Sequence, residues 1–331
     1  MWTLRALRII SVLTPIAPAW IGYGICHVIA FFFYLIKVPT RRQVIDNLRH
    51  VTPGKGWIAY QIDSFKVFST VNKNYYDLLR FRTVDREQFA ELMDVRGHDN
   101  LDRALECGKG VIILAAHLGN YSVVGQYPAT IGIRSAIIAE RVQPPGLFNY
   151  MVRLRSAAGI DILPPGREAI PPILRLLRGN GVLMVAGDRD VSGQGVEVNF
   201  FGEPASLPAG PAILAMRTGA ALIPTYTIRT SMRHSVVFIE EPLQLVRTRD
   251  RELDLRRNVQ IIARSLEKMI ATDPTQWAVL QRVWGAPPTT LQQRGEGLGS
   301  VPRGIAEHRE PPAMSLNQSG GDHNESTPTT R

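Results

Sequence analysis

Hydrophobic and polar positions along this chain fall into three regimes. Between residues 41 and 286, short apolar runs alternate with stretches whose apolar residues recur every three or four positions. The run Val111–Ala116 is unbroken, starts with β-branched residues and is too short to cross a membrane. That is the signature of a buried parallel strand. It sits inside Gly108–Gln126, GKGVIILAAHLGNYSVVGQ. A turn, Gly108-Lys109-Gly110, opens this stretch, His117 stands at the strand's end, and Gly119-Asn120 break the run before a helix from Tyr121. Further strands are predicted at Ser135–Glu140, Ile160–Leu163, Gly181–Ala186, Ala220–Tyr226 and Ser235–Ile239, with Gly195–Phe201 alternating as an exposed strand. Helices are predicted through Arg41–Arg82, where Phe65, Phe68, Val71, Tyr75 and Leu78 form one stripe. Others are Asn100–Glu106, Leu147–Ala158, Arg167–Arg178, Pro208–Thr218 and a clear amphipathic helix carrying Leu255, Val259, Ile262, Leu266 and Met269. Strands alternating with helices predict an α/β fold: a central, largely parallel sheet flanked by helices, with membrane-associating helices at the N-terminus.

The two ends differ from this middle. In residues 1–40, Arg5 and Arg8 precede an apolar stretch that runs to Ile36, interrupted by Pro15 and Pro18. Ala19–Ile36 holds no charged residue when His27 is neutral, and it closes on the aromatic cluster Phe31–Tyr34. Four readings fit: a signal peptide cut after Ala17-Pro18-Ala19, a single span at the lower length limit, an interfacial helix or hairpin broken at the prolines, or a buried helix pair. Lys37, Arg41, Arg42 and Arg49 follow directly, as basic residues do on the anionic cytoplasmic face. The expectation is therefore a membrane-associating segment over 1–40, a main domain over 41–286 and the cytoplasmic face of the cell membrane as location. Residues 287–331 are rich in Pro, Gly, Ser, Thr, Gln and Asn. Such a tail cannot bury enough apolar surface to offset its ordering entropy, and disorder is expected there.

Charge narrows the partners. The formal net charge is +9, which attracts polyanions, including anionic lipid. The basic residues are dispersed and no interleaved aromatic platform accompanies them, which argues against nucleic acid. Cys26 and Cys107 form neither a disulfide framework nor a metal-ligand spacing. There is no P-loop, zinc spacing or G-x-G-x-x-G after a strand. The candidate chemistry begins with His117, because ligands of open α/β sheets gather at the carboxyl ends of strands. A histidine there can move a proton near neutral pH. Asp188-Arg189-Asp190 closes another predicted strand, and its Asp-x-Asp allows a sugar-nucleotide transferase reading with a divalent metal.

Four blocks in order carry a resemblance: the HLGNY of Gly110–Tyr121, GDRDVSGQGVEVNFFGEP, PAGPAILAMRTGAALIP and QWAVLQRVW. From about Arg41 to Trp284 the chain resembles the bacterial lipid A lauroyl/myristoyl acyltransferase family, and within it the phosphatidylinositol mannoside acyltransferases. The resemblance implies a membrane-associated acyltransferase domain that needs no cofactor. It would move a fatty acyl group from acyl-CoA or an acyl carrier protein to a hydroxyl of a membrane glycolipid. The family's histidine matches His117, but the acidic residue of the family motif, five positions later, is Ser122 here. The resemblance also suggests that Glu197, in GVEVNFF, pairs with the histidine. On an alternating strand Glu197 and Asn199 share one face, so the expected catalytic pair is His117 with Glu197.

Asn120 and Gly119 are expected to shape the oxyanion or acceptor pocket, the alternative being a turn. Glu140 and Arg141 are candidates for the acceptor headgroup, and Arg189 for a phosphate or for Glu197, with local ion pairs as their alternatives. Arg217 is a further substrate-binding candidate, although a cation is favoured at that helix end in any case. Ser122 lacks the G-x-S-x-G elbow of a serine nucleophile. Phe200-Phe201 pack either an acyl chain or the core, and Trp277 and Trp284 sit either at the bilayer surface or in the core. Ser122 leaves open a second function, a catalytically silent relative that binds lipid.

Overall fold

The computed structural model describes residues 14, 17–81, 85–139, 145–156, 159–191 and 193–285. The expected tail, Glu140 and Arg141 lie outside them. Three helices come first: α1 (Ala19–Ile36), α2 (Val38–Val51) and α3 (Trp57–Arg80). Helix α1 begins after Pro18, as a residue with no N–H favours. It packs antiparallel along α3: the Tyr23 hydroxyl donates to Asp77, Cys26 meets the Asn72 carbonyl and Tyr34 donates to Gln61. Gly22 makes this approach possible, since a Cβ there would collide with the Tyr76 ring. Gly22, Tyr23, Cys26 and Ala30 form the buried stripe of α1. The remaining surface is apolar and exposed, including Trp20, Ile25, Val28, Phe31, Phe32 and Ile36.

The sheet follows. Its strands are β1 (Met93–Arg96), β2 (Val111–Ala115), β3 (Ser135–Ile138), β4 (Ile160–Leu163) and β5 (Val182–Ala186), then β8 (Ala221–Arg229) and β9 (Ser235–Ile239). The order is β1-β9-β8-β2-β5-β3-β4, parallel throughout except where β9 runs back beside β8. The largely parallel sheet is thus as expected. Strand β2 lies between β5 and β8, with Val111 opposite both Val182 and Ala221. Alternation sends Ile112 and Leu114 to one core and Val111 and Ile113 to the other. The first core is covered by α9 (Ile170–Arg178), α10 (Gly210–Thr218) and α11 (Arg251–Thr272). The second is covered by α4 (Arg86–Leu92), α5 (His98–Glu106) and the short α6 (Tyr121–Val124) and α7 (Tyr127–Thr130). The remaining helix, α8 (Pro145–Ser156), precedes β4.

Several details depart from the sequence reading. The predicted strand Gly195–Phe201 is β6 (Val196–Phe200), half of a separate hairpin with β7 (Glu203–Leu207). One face of it, Val198 and Phe200, belongs to the core, which settles Phe200 as a core residue. The predicted helix Arg167–Arg178 begins as a 3-10 turn over Arg167–Ala169. Helix α4 and strand β1 were not anticipated: β1 has four residues, two of them charged, and carries no apolar run.

Candidate active site

The site is built where β2 and β5 end together. Ala115 is opposite Ala186 in the parallel register, so the residues two positions on, His117 and Asp188, leave the sheet side by side. The Gly187 N–H donates to the Ala115 carbonyl and keeps the strands together past their ends. Asp188 is 0 % exposed. It accepts from the His117 backbone N–H at 2.8 Å, lies 2.8 Å from His117 Nδ1, and accepts from the Trp277 indole at 2.9 Å. Burial alone would raise the pKa of this carboxyl. The charge of His117 and these hydrogen bonds outweigh burial and lower it to about 2.

An ionised carboxylate only accepts, so Nδ1 carries the proton and Nε2 keeps its lone pair. The imidazole side chain is 25 % exposed, open enough to meet a substrate.

The ring is held from a second side. The segment after α11 pairs antiparallel with 117–119: Ala278 N–H donates to the His117 carbonyl, Gly119 N–H to the Gln276 carbonyl, and Leu118 bridges Trp277. Gly119 has φ +60, and a Cβ there would strike the Thr227 carbonyl, so the turn needs glycine. Asn74 of α3 closes the turn from below, donating to the Gly119 carbonyl and accepting from the Ser122 N–H. Tyr121 stacks edge-on to the His117 ring at 5.3 Å between centroids. Burial pushes its phenol up to about 12, with Arg155 and Arg189 close enough to oppose that shift.

The carboxylate on His117 is therefore Asp188, and the expected pairing with Glu197 is corrected. In β6 the inward positions are Val198 and Phe200, which leaves Glu197 exposed and opposite Ser206. Asn120 is buried beside the turn, and its side-chain oxygen has no hydrogen-bond partner among the described residues. Arg189 is half-buried next to Asp188. Ser122 is buried in the first turn of α6. Arg217 belongs elsewhere: it shares a cavity with Lys109 and Arg178 at the opposite end of the sheet, where β2 begins. Both tryptophans are in the core, at 2 % exposure for Trp277 and 5 % for Trp284. Asp190 binds its own loop, accepting from the Gly193 and Gly195 N–H groups and the Ser206 hydroxyl. With Asp188 and Asp190 so committed, and no group of three potential ligands among the described residues, the Asp-x-Asp metal reading has no support.

Sequence reasoning missed Asp188 as the partner, and Trp277 and Arg155 as neighbours of the site. Asp188 was marked as a strand-end acid, and the signal for its pairing was that two buried strands end in titratable residues at the same offset.

Comparison with known proteins decides the lineage of this arrangement. Residues 2–285 match the family described as bacterial lipid A biosynthesis acyltransferase. The chain belongs to that family. Among its relatives, a phosphatidylinositol mannoside acyltransferase of Mycobacterium tuberculosis (strain ATCC 25618 / H37Rv) is 32 % identical over 214 residues, 63 % of this chain and 66 % of that protein. The Mycolicibacterium smegmatis (strain ATCC 700084 / mc(2)155) protein of the same name is 30 % identical over 211 residues, 63 % of this chain and 67 % of its own. The match to the M. tuberculosis relative thus spans just under two thirds of its length. For a lipid A biosynthesis acyltransferase family member, the blocks around His117, Asp188 and Trp277 are the segments that meet in one site.

Proposed function

We propose that this protein transfers a fatty acyl group from a thioester, acyl-CoA or an acyl carrier protein, to a hydroxyl of a membrane glycolipid. A phosphatidylinositol mannoside is the acceptor favoured by the names of its relatives. The observation that carries the reading is the His117–Asp188 pair at the sheet edge of a family member. The acceptor hydroxyl gives its proton to His117 Nε2 while its oxygen attacks the thioester carbonyl carbon. The tetrahedral intermediate collapses with cleavage of the carbon–sulfur bond, and the thiolate takes the proton back from the imidazolium. Asp188 fixes the tautomer and stabilises the imidazolium, the work expected of the motif acid that Ser122 replaces. This removes the motive for a catalytically silent relative.

Asn120, whose buried amide oxygen lacks a partner among the described residues, and the cations Arg155 and Arg189 near Tyr121 supply the polar wall of the acceptor pocket in this reading. Membrane contact is interfacial. Helix α1 lies along α3, which carries Asp63, Lys66, Lys73 and Asp77 and does not belong in hydrocarbon. Trp57, Ile58 and Ile62 of α3 are exposed and apolar like the outer face of α1, as helices resting in the headgroup layer require. Lys37, Arg41 and Arg42 beside it suit an anionic, cytoplasmic leaflet.

The test is transfer from radiolabelled acyl-CoA to extracted glycolipid. His117→Ala is expected to abolish transfer while the protein stays folded, and undiminished turnover in that variant would overturn the proposal.

A further inference from the structure

A second cavity, of about 410 Å³, opens beside Lys73 and Arg229. Helices α1 and α3, the end of β8 and the segment Asp273–Gln276 enclose it. It belongs to the same end of the sheet as the active site, because Gln276, which accepts from the Gly119 N–H, also brackets the backbone of Arg229.

Its charges are unbalanced. Arg229 is neutralised by Asp77 and held by the Tyr23 hydroxyl, and Lys66 leans on Asp63, which Lys55 already engages. Asp273, the acid on the wall, is occupied by its own Thr275 and Gln276. Lys73 has no hydrogen-bond or ion-pair partner among the described residues, and it is only half-exposed. Burial and the neighbouring Arg229 both lower its pKa, so an anion placed there would relieve an existing strain on the charged form. The hydroxyl of Ser69, a lining residue at 4 % exposure, also has no hydrogen-bond partner among the described residues, and Thr70 lines the cavity beside it. An unpaired cation with nearby hydroxyls, in a cavity with no uncommitted carboxylate among the described residues, is the donor set that takes a phosphate group.

The position says where that phosphate comes from. Tyr23 and His27 of α1 form one wall, and the opposite faces of α1 are the exposed apolar ones. We infer that this cavity is a phosphate subsite for the headgroup of an anionic membrane lipid, seated on Lys73 beside the membrane-contacting helix. Lipid capture here does not depend on the acyl-transfer reading, because it needs neither donor nor an intact His117.

The experiment is sedimentation of the full-length protein with phosphatidylcholine vesicles, with and without phosphatidylinositol. Lys73→Gln is expected to weaken binding to the phosphatidylinositol vesicles about tenfold, the usual loss for one charge-assisted contact. Lys73→Arg, which keeps the charge, is expected to restore most of it. Lys109→Gln removes the same charge at the opposite end of the sheet and is expected to change binding by less than about twofold. Equal losses in Lys73→Gln and Lys109→Gln would reduce the effect to overall charge and overturn the inference. So would undiminished binding by Lys73→Gln. Displacement from the vesicles by inorganic phosphate at matched ionic strength would assign the cavity to free phosphate and equally overturn the lipid assignment.

Discussion

Asp188 and Asp77 are both 0 % exposed, and each is paired with a basic side chain, yet the two regions around them do different things. Asp77 is partnered by Arg229, whose side chain is 9 % exposed and whose guanidinium does not give up its proton. With the Tyr23 hydroxyl, that pair pins α1 and α3 to the end of β8, and its guanidinium keeps its charge. Asp188 is partnered by an imidazole, which can change charge and whose other nitrogen is open to the cleft. A buried carboxylate is costly in either place and needs its hydrogen bonds. What separates anchoring from chemistry is the partner: a permanent cation locks the element, and a titratable ring turns the same burial into a proton acceptor.

The sharpest way to break this comparison is to neutralise each carboxylate in turn. Asp188→Asn keeps the size of the side chain but removes the charge that selects the ring's tautomer. The expected loss in acyl transfer is about 10⁴-fold, the scale known for such a change in a catalytic triad. If acyl transfer by Asp188→Asn stays within about tenfold of the parent, the dyad is not the engine.

Asp77→Asn is expected to leave transfer per folded molecule nearly unchanged. It strands Arg229 without its counter-charge, and the expected loss is about 3–5 kcal/mol of stability in chemical denaturation. A large fall in turnover without a fall in stability would show that the anchoring region also reaches the chemistry.

Acid separates the two regions without mutating either. The pKa of Asp188 lies at about 2, below the ordinary aspartate value of about 3.9. A carboxyl lowered by folding adds stability that is fully present above the unfolded value and is lost as pH falls through the folded one. The stability of the wild type relative to Asp188→Asn is therefore expected to be constant above about pH 5 and to fall by on the order of 2 kcal/mol between pH 4 and pH 2. A difference that does not change across that window would mean that the carboxylate is not held ionised by its neighbours.

Much of this was legible in the sequence, and the exceptions have physical causes. Val111–Ala116 and Gly181–Ala186 read as buried strands because both are continuous apolar runs, and His117 was placed correctly at the first one's end. Strand order cannot be read from such runs, and only order makes His117 and Asp188 neighbours across 71 residues of chain. The hairpin strand Glu203–Leu207 escaped because it contains Pro204 and two polar residues, a pattern tolerated only where few ladder bonds are required. The Arg229–Asp77 pair was invisible for a similar reason: 152 residues separate its members, and neither sits in a motif.

Glu197 sharpens the comparison by the smallest effect. The sequence placed it on the polar face of an alternating strand, and that much holds: Asn199 shares its face, and Val198 and Phe200 face the core. A polar face can turn either to a cleft or to open solvent, and alternation does not distinguish the two. In the fold Glu197 is exposed across from Ser206, and the imidazole already has a carboxylate with three donors upon it. Glu197→Gln removes a solvated charge and no contact to His117, so the expected change in transfer is within about twofold, the scale of an ordinary surface substitution. A loss approaching that of Asp188→Asn would mean that Glu197 swings to the ring when substrate binds, and the division between a buried acid that acts and an exposed one that does not would have to be redrawn.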